Sequence, residues 1–230
     1  MRKKLPVFIP LFTVSFFPFL TLVFYPFGYS VSLISYKILS AVSAVICIAS
    51  RYLLKSHTPD KADRIIFSLL PLVQFINSVI YLSKSKSLTV AVFMAVCFIM
   101  CAIISEKNIN SDKAKIFSVI TSSLMFVAFA LVSFVAVFLG NFAVNTVVET
   151  VESPSGEYYA EVVDSDQGAL GGNTVVYVKK TDSLNLMIMR IEKNPERVYL
   201  GEWGEYETMK IEWADNSTLL INSTEYKVNT

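Results

Sequence analysis

"SPSGEYYAEVVDSDQGALGGNTVVYVKK", residues 153–180, has the patterning of a soluble β-protein. Tyr158 to Val163 and Thr174 to Val178 are rich in β-branched and aromatic residues, which suit a pleated, half-buried surface. Pro154-Ser155-Gly156 and the run Gly168–Asn173 punctuate the segment, because proline fixes φ and glycine allows positive φ. Yet this segment follows a long, almost continuously apolar sequence. The pattern changes near Val144, and that change decides the fold.

Downstream of it the period is two. In "YETMKIEW" (206–213), Met209, Ile211 and Trp213 face one way and Thr208, Lys210 and Glu212 the other. "EYYAEVV" (157–163), "TVVYV" (174–178), "LNLMIMRI" (184–191), "STLLI" (217–221) and "EYKV" (225–228) are further strand candidates. Turn signals separate them at Pro154–Gly156, Gly168–Asn173, Asn194-Pro195 and Asp215-Asn216. No gap is long enough for a crossover helix, so residues 144–230 are expected to form a small all-β antiparallel domain.

Upstream, residues 1–143 are expected to form a membrane α-helical bundle. A bilayer core about 30 Å thick needs about 20 apolar residues in a helix. Five stretches meet or approach that length: 5–27, 31–54, 65–82, 88–105 and 114–139. The first carries Pro6, Pro10, Pro18 and Pro26 and is expected to be a kinked span, with a re-entrant or interfacial segment as the alternative. It is too long for the apolar part of a cleaved signal peptide, and another apolar stretch follows at once, so it is expected to be retained.

Charge divides the chain at the same place. Through Gly140 there are thirteen Lys/Arg against Asp60, Asp63, Glu106 and Asp112, a net of +9; from Asn141 onward there are seven against fifteen, a net of −8. Ten cations (Arg2, Lys3, Lys4; Arg51, Lys55, Lys61, Arg64; Lys107, Lys113, Lys115) precede the first span or lie in the second and fourth connections. Only Lys84 and Lys86 lie in the alternate connections. The positive-inside rule then predicts a cytoplasmic N-terminus and, with five spans, an extracytoplasmic β-domain.

Two segments carry resemblances. "SPSGEYYAEV" resembles the turn-and-strand that opens blades of TolB-type β-propellers, and "IEWADNSTLLIN" is similar to another form of the same unit. Only two such units fit, and a propeller needs at least four blades, so the likeness is one of turn chemistry. Residues 152–222, with Ser-Pro-x-Gly-x-Tyr, then Gly-Gly, then a late Trp-x-Asp, also resemble a group of uncharacterised multispan membrane proteins of Gram-positive bacteria. These carry a C-terminal extracytoplasmic β-domain. The resemblance implies a bacterial cell-membrane location but no chemistry.

Candidate sites are few. Asp164 and Asp166 place oxygen ligands at alternate positions and are candidates for a loose calcium site, though not for an EF-hand, whose loop starting at Asp164 would need glycine and glutamate where Ala169 and Val175 stand. "GALGGN" lacks the Gly-Lys-Ser/Thr ending and the following helix of a phosphate loop. Asp164, Asp166, Gly168, Gly171, Gly172 and Asn173 are therefore read as a connection that a ligand or partner would meet, since sheet-held loops commonly carry recognition. Within the spans, Lys37 is placed to snorkel, and Gln74 and Asn77, three residues apart, to hydrogen-bond neighbouring helices. Cys97 and Cys101 share a helix face that Cys47 could approach, which admits soft-metal or redox chemistry beside plain apolar packing.

No Asp or Glu lies inside a span, which disfavours cation-coupled carriers. His57 is the only histidine, and no Gly-x-Ser-x-Gly elbow is present, so neither a conventional hydrolase nor a histidine-based metal site is expected. No cofactor is expected. The lipid bilayer and another membrane or envelope protein are the implied partners, and nucleic acid is not. The sequence thus favours a membrane-anchored extracytoplasmic binding, sensing or envelope-accessory protein without catalytic activity. The alternative is a small-solute transporter or channel subunit with a β-domain cap.

Overall fold

The computed structural model describes residues 5–140 and 142–228. Five long apolar helices precede an antiparallel all-β region, and the chain divides into two compact units. The helical unit contains α1 (Leu5–Phe24), α2 (Tyr36–Leu53), α3 (Lys61–Ser85), α4 (Leu88–Lys107) and α5 (Asp112–Phe134). α5 continues as a π-helical turn, Val135–Leu139. Each of the five is long and apolar enough to cross a bilayer, which makes this a multi-pass membrane protein.

α1 stays one helix although Pro10 and Pro18 lie inside it. Its hydroxyls turn back on their own backbone: Thr13, Ser15 and Thr21 donate to the carbonyls of Ile9, Leu11 and Phe17 at 2.8, 2.7 and 3.0 Å. Such bonds keep polar atoms satisfied where water is absent. α3 opens on a reciprocal cap, in which Asp60 accepts from the Asp63 N–H at 2.9 Å and Asp63 from the Asp60 N–H at 3.1 Å. α5 ends where the Gly140 N–H donates to the Val135 carbonyl at 2.8 Å. A Cβ at Gly140 would lie 2.5 Å from the Ala136 carbonyl oxygen, so only glycine closes this turn. Lys86 Nζ then donates to the Gly140 carbonyl at 2.6 Å.

The β unit comprises Phe24–Ser32 and Asn141–Thr230. Its largest sheet has the order β2 (Val144–Glu152), β3 (Tyr158–Asp166), β4 (Gly172–Lys180), β7 (Glu196–Glu202). A second sheet holds β10 (Thr224–Lys227), β9 (Thr218–Ile221) and β8 (Ile211–Trp213). A third places β1 (Tyr29–Leu33) beside β6 (Met189–Lys193), which pairs with β5 (Ser183–Asn185). Alternate residues of β3 and β4 (Tyr158, Ala160, Val162; Val176, Val178) meet Leu219 and Ile221 of β9 together with Met209 and Val228 in the core. Trp213 packs at its edge and donates from Nε1 to the Val151 carbonyl at 3.0 Å, tying β8 to β2.

The two turn motifs singled out in the sequence meet in space. In the first, the Tyr158 N–H donates to Ser153 Oγ at 3.1 Å, the Gly156 N–H donates to the Ser153 carbonyl at 2.9 Å, and Gly156 has φ +70°. In the second, Asp215 Oδ1 accepts from both the N–H and the hydroxyl of Ser217, at 2.7 and 2.9 Å. The Ser155 N–H then donates to Asn216 Oδ1 at 2.8 Å and joins them.

Several expectations are corrected. The second span begins at Tyr36 rather than Val31, because Ser35 caps the helix by accepting from the Ile38 N–H at 3.3 Å. The preceding residues, expected to be short loop and helix start, form β1 of the β unit. "LNLMIMRI" is not one strand; it folds into β5 and β6 around exposed Leu186, Met187 and Ile188, with the Leu186 N–H donating to the Met189 carbonyl at 2.8 Å. In "YETMKIEW" only Ile211–Trp213 is strand, since Glu205–Glu207 form a 3-10 turn. Gly172 and Asn173 begin β4 rather than belonging to a long loop.

Candidate functional site

The connection between β3 and β4 does not stand alone. Asp164 pairs in register with Thr174, which pairs with Gly201 of β7, so three strand ends lie side by side. β7 leaves the sheet through Glu202-Trp203-Gly204 and enters the 3-10 turn Glu205–Glu207. The Tyr206 N–H donates to the buried Thr174 Oγ1 at 3.2 Å and seats that turn on β4. Glu205 accepts from the Tyr199 hydroxyl, and its other oxygen accepts from the Glu202 N–H at 3.0 Å.

Two glycines make this packing possible. A Cβ at Gly172 would lie 2.6 Å from Trp203 Cδ1 and 2.8 Å from the Ser165 carbonyl oxygen. The bare backbone there is what lets the indole lie against the sheet. A Cβ at Gly201 would meet the Glu205 carboxylate and lie 2.6 Å from the Tyr199 ring. Trp203 keeps 56% of its surface exposed, and Leu170 of the neighbouring connection 88%. An open depression lined by Glu202, Trp203, Gly204 and Glu205 adjoins them.

The electrostatics follow from the carboxylates. The hydrogen bond to Glu205 pushes the Tyr199 phenol up to about 12, and the charge of Asp164 raises that of Tyr206. Both phenols are thereby held in the protonated form, and that of Tyr199 is a donor. Asp164 Oδ1 is buried without a hydrogen-bond partner, and Asp166 Oδ1 accepts from the Gly168 N–H at 2.7 Å. Gly168 and Gly171 have φ of +64° and +90°, the left-handed backbone that the narrow turn requires. This end of the sheet therefore combines an exposed indole with several carboxylates, a pattern suited to a cationic group. Among the described residues, no group of three or more His, Cys, Asp or Glu is arranged to hold a metal ion.

The intramembrane residues separate. Lys37 stands exposed in the first turn of α2. Gln74 and Asn77 are buried on α3: Gln74 Nε2 donates to Ser78 Oγ at 3.0 Å and across to the Met94 carbonyl of α4 at 3.4 Å, while Asn77 Nδ2 donates to Gln74 Oε1 at 3.3 Å. Asn77 Oδ1 has no partner. Cys47 of α2 lies beside Cys97 and Cys101 of α4, all fully buried. The lone His57 is bound at 2.9 Å to Asp63.

Sequence reasoning located Asp164 to Asn173 and admitted Trp203, Tyr206 and Trp213 as an aromatic contact surface or core filling, but it did not reach Tyr199, Glu202 and Glu205. The signal was "GEWGEYE", residues 201–207, where two glycines flank an aromatic among acids. No protein-family model matches the chain, and neither a curated protein nor a solved structure matches it.

Proposed function

We propose that the protein is a membrane-anchored, non-enzymatic binding module of a bacterial envelope, whose extracytoplasmic β-domain recognises a cationic group on a partner. The observation that carries this reading is the Trp203 indole, held over Gly172 in a depression that it shares with Glu202 and Glu205. Topology is supported by β1: the link between α1 and α2 belongs to the same β unit as the C-terminal region, so both lie on one side. The connections 54–60 and 108–111, flanked by Arg51, Lys61, Arg64, Lys107, Lys113 and Lys115, meet at one end of the helices, where Arg64 reaches Asn110. The resemblance over residues 152–222 supports a Gram-positive source.

A photo-crosslinking residue in place of the exposed Leu170, which leaves the indole intact, tests the reading on intact cells. A discrete adduct is expected, lost when Glu202 and Glu205 are changed to lysine, and absent when the same crosslinker replaces the exposed Glu225. No adduct at 170, or equal adducts at both positions, contradicts it. One observation favours a second reading, a small-solute transporter or channel subunit. Asn77 Oδ1 is left unpaired beside Gln74 inside the bundle, and such a group is expensive unless it is used. On that reading Asn77→Leu abolishes a solute flux; on the first it leaves β-domain binding intact.

A further inference from the structure

A cavity of about 400 Å³ opens at the end of the helical unit opposite Lys86 and Gly140. Four cations line it: Arg51 in the last turn of α2, Lys55 just beyond it, Arg64 in α3 and Lys107 at the end of α4. None of the ion pairs among the described residues includes any of the four. Arg64 is held by neutral groups: its Nη2 donates to the Pro59 carbonyl at 3.4 Å, and the Asn110 amide oxygen, turned toward it, accepts from both terminal nitrogens at 3.0 and 3.1 Å. His57, also in the lining, is engaged by Asp63 and leaves the cavity to the four cations. Neutral anchors fix positive charge here without neutralising it.

A second cavity, of about 420 Å³, continues from the first. The two share Arg51, Lys55 and Lys107, and the second adds Ile48, Tyr52 and Met100 from the facing sides of α2 and α4. Its lower part is an apolar trough between two helices that span the membrane. A small hydrophilic anion has no use for such a trough. A molecule with a charged phosphate and a hydrocarbon tail fits both parts at once. Basic pockets between transmembrane helices bind anionic headgroups in this manner.

We propose that these residues form a site for an anionic phospholipid, with its phosphate among Arg51, Lys55, Arg64 and Lys107 and an acyl chain along Ile48, Tyr52 and Met100. Four cations without internal carboxylate partners favour a headgroup of net negative charge over a zwitterionic one. The site does not depend on what the β-domain binds.

Native mass spectrometry of the full chain, in detergent with equal amounts of phosphatidylglycerol and phosphatidylcholine, tests the assignment. The expected result is one phosphatidylglycerol retained about tenfold more strongly than phosphatidylcholine. That preference falls in the Arg51→Gln/Lys107→Gln variant and persists in Lys84→Gln/Lys115→Gln. Equal retention of the two lipids by the unaltered chain overturns the proposal, and that comparison does not require any variant to fold. Displacement of phosphatidylglycerol by millimolar inorganic phosphate also overturns it, in favour of a free-anion site.

Discussion

The two units bury opposite things. In the helical unit, Ser40, Ser50, Gln74, Asn77, Ser78 and Ser105 are buried, while Phe12, Leu22, Ile38, Phe117, Leu124 and Leu131 are more than half exposed. In the β unit, Val162, Val176, Leu219 and Ile221 are buried, and most carboxylates face outward. The same side chains obey one rule in two solvents. Where the surroundings are lipid, apolar surface costs nothing and hydroxyls retreat to backbone carbonyls. Where the surroundings are water, apolar surface is gathered into a core. A residue's exposure therefore predicts the effect of changing it only once the unit it belongs to is known.

The sharpest way to break this contrast is to place a charge in each unit. Leu219→Asp puts an unpaired carboxylate at a fully buried position and should destabilise the β unit by more than about 4 kcal/mol, read as a collapsed urea midpoint in Trp213 fluorescence. Leu124→Asp alters a side chain 66% exposed, which in a water-soluble helix would be nearly silent. In α5 it should cost about 2.5–3.5 kcal/mol of membrane insertion, measured as a reduced inserted fraction. A silent Leu124→Asp would mean that α5 does not face lipid.

Smaller effects sharpen the β unit's side of the comparison. Gly172→Ala forces a methyl against the Trp203 ring and the Ser165 carbonyl. It should cost about 1–3 kcal/mol and shift Trp203 emission as the indole is displaced. Asn222 and Ser223 hold φ of +50° and +66° in the turn between β9 and β10, and Asn222 Oδ1 accepts from the Lys210 N–H at 2.9 Å. Asn222→Ala should therefore cost about 1–2 kcal/mol in the same urea assay. The smallest effect is alkaline. Tyr199 keeps its proton to about pH 12 in the folded chain against an ordinary 10.0, so the unfolded chain ionises first. Stability from this group is whole below pH 10, falls between 10 and 12, and is gone above; Tyr199→Phe should flatten that limb of a pH-dependent melt.

Much of this architecture was legible. The five spans and most strands followed from apolar run length and period-two alternation, both of which arise from burial. What escaped notice depended on partners distant in sequence. β1 is five residues, "YSVSL", joined to apolar sequence on both sides, and only its pairing with β6 marks it as strand. The β5–β6 hairpin turns at Leu-Met-Ile, without the glycine, proline or asparagine that announce turns. β7, "ERVYLGE", is an edge strand whose alternation is blurred by its charged ends. Lys86 was counted as a topology signal, yet it is also the donor that closes the end of α5. Of the candidate site, the acids of β3 and the aromatics Trp203 and Tyr206 were visible separately, but that the indole lies on β4 depends on the absence of a side chain at Gly172, which only the paired sheet reveals.

The most direct test labels single cysteines with a membrane-impermeant maleimide on intact cells, against a background of three native cysteines that are fully buried. With the link between α1 and α2 and the C-terminal region on one outer side, Tyr29→Cys and Glu157→Cys should both react before lysis and Thr58→Cys only after it. Labelling of Thr58→Cys on intact cells, or opposite behaviour of Tyr29→Cys and Glu157→Cys, would contradict that arrangement.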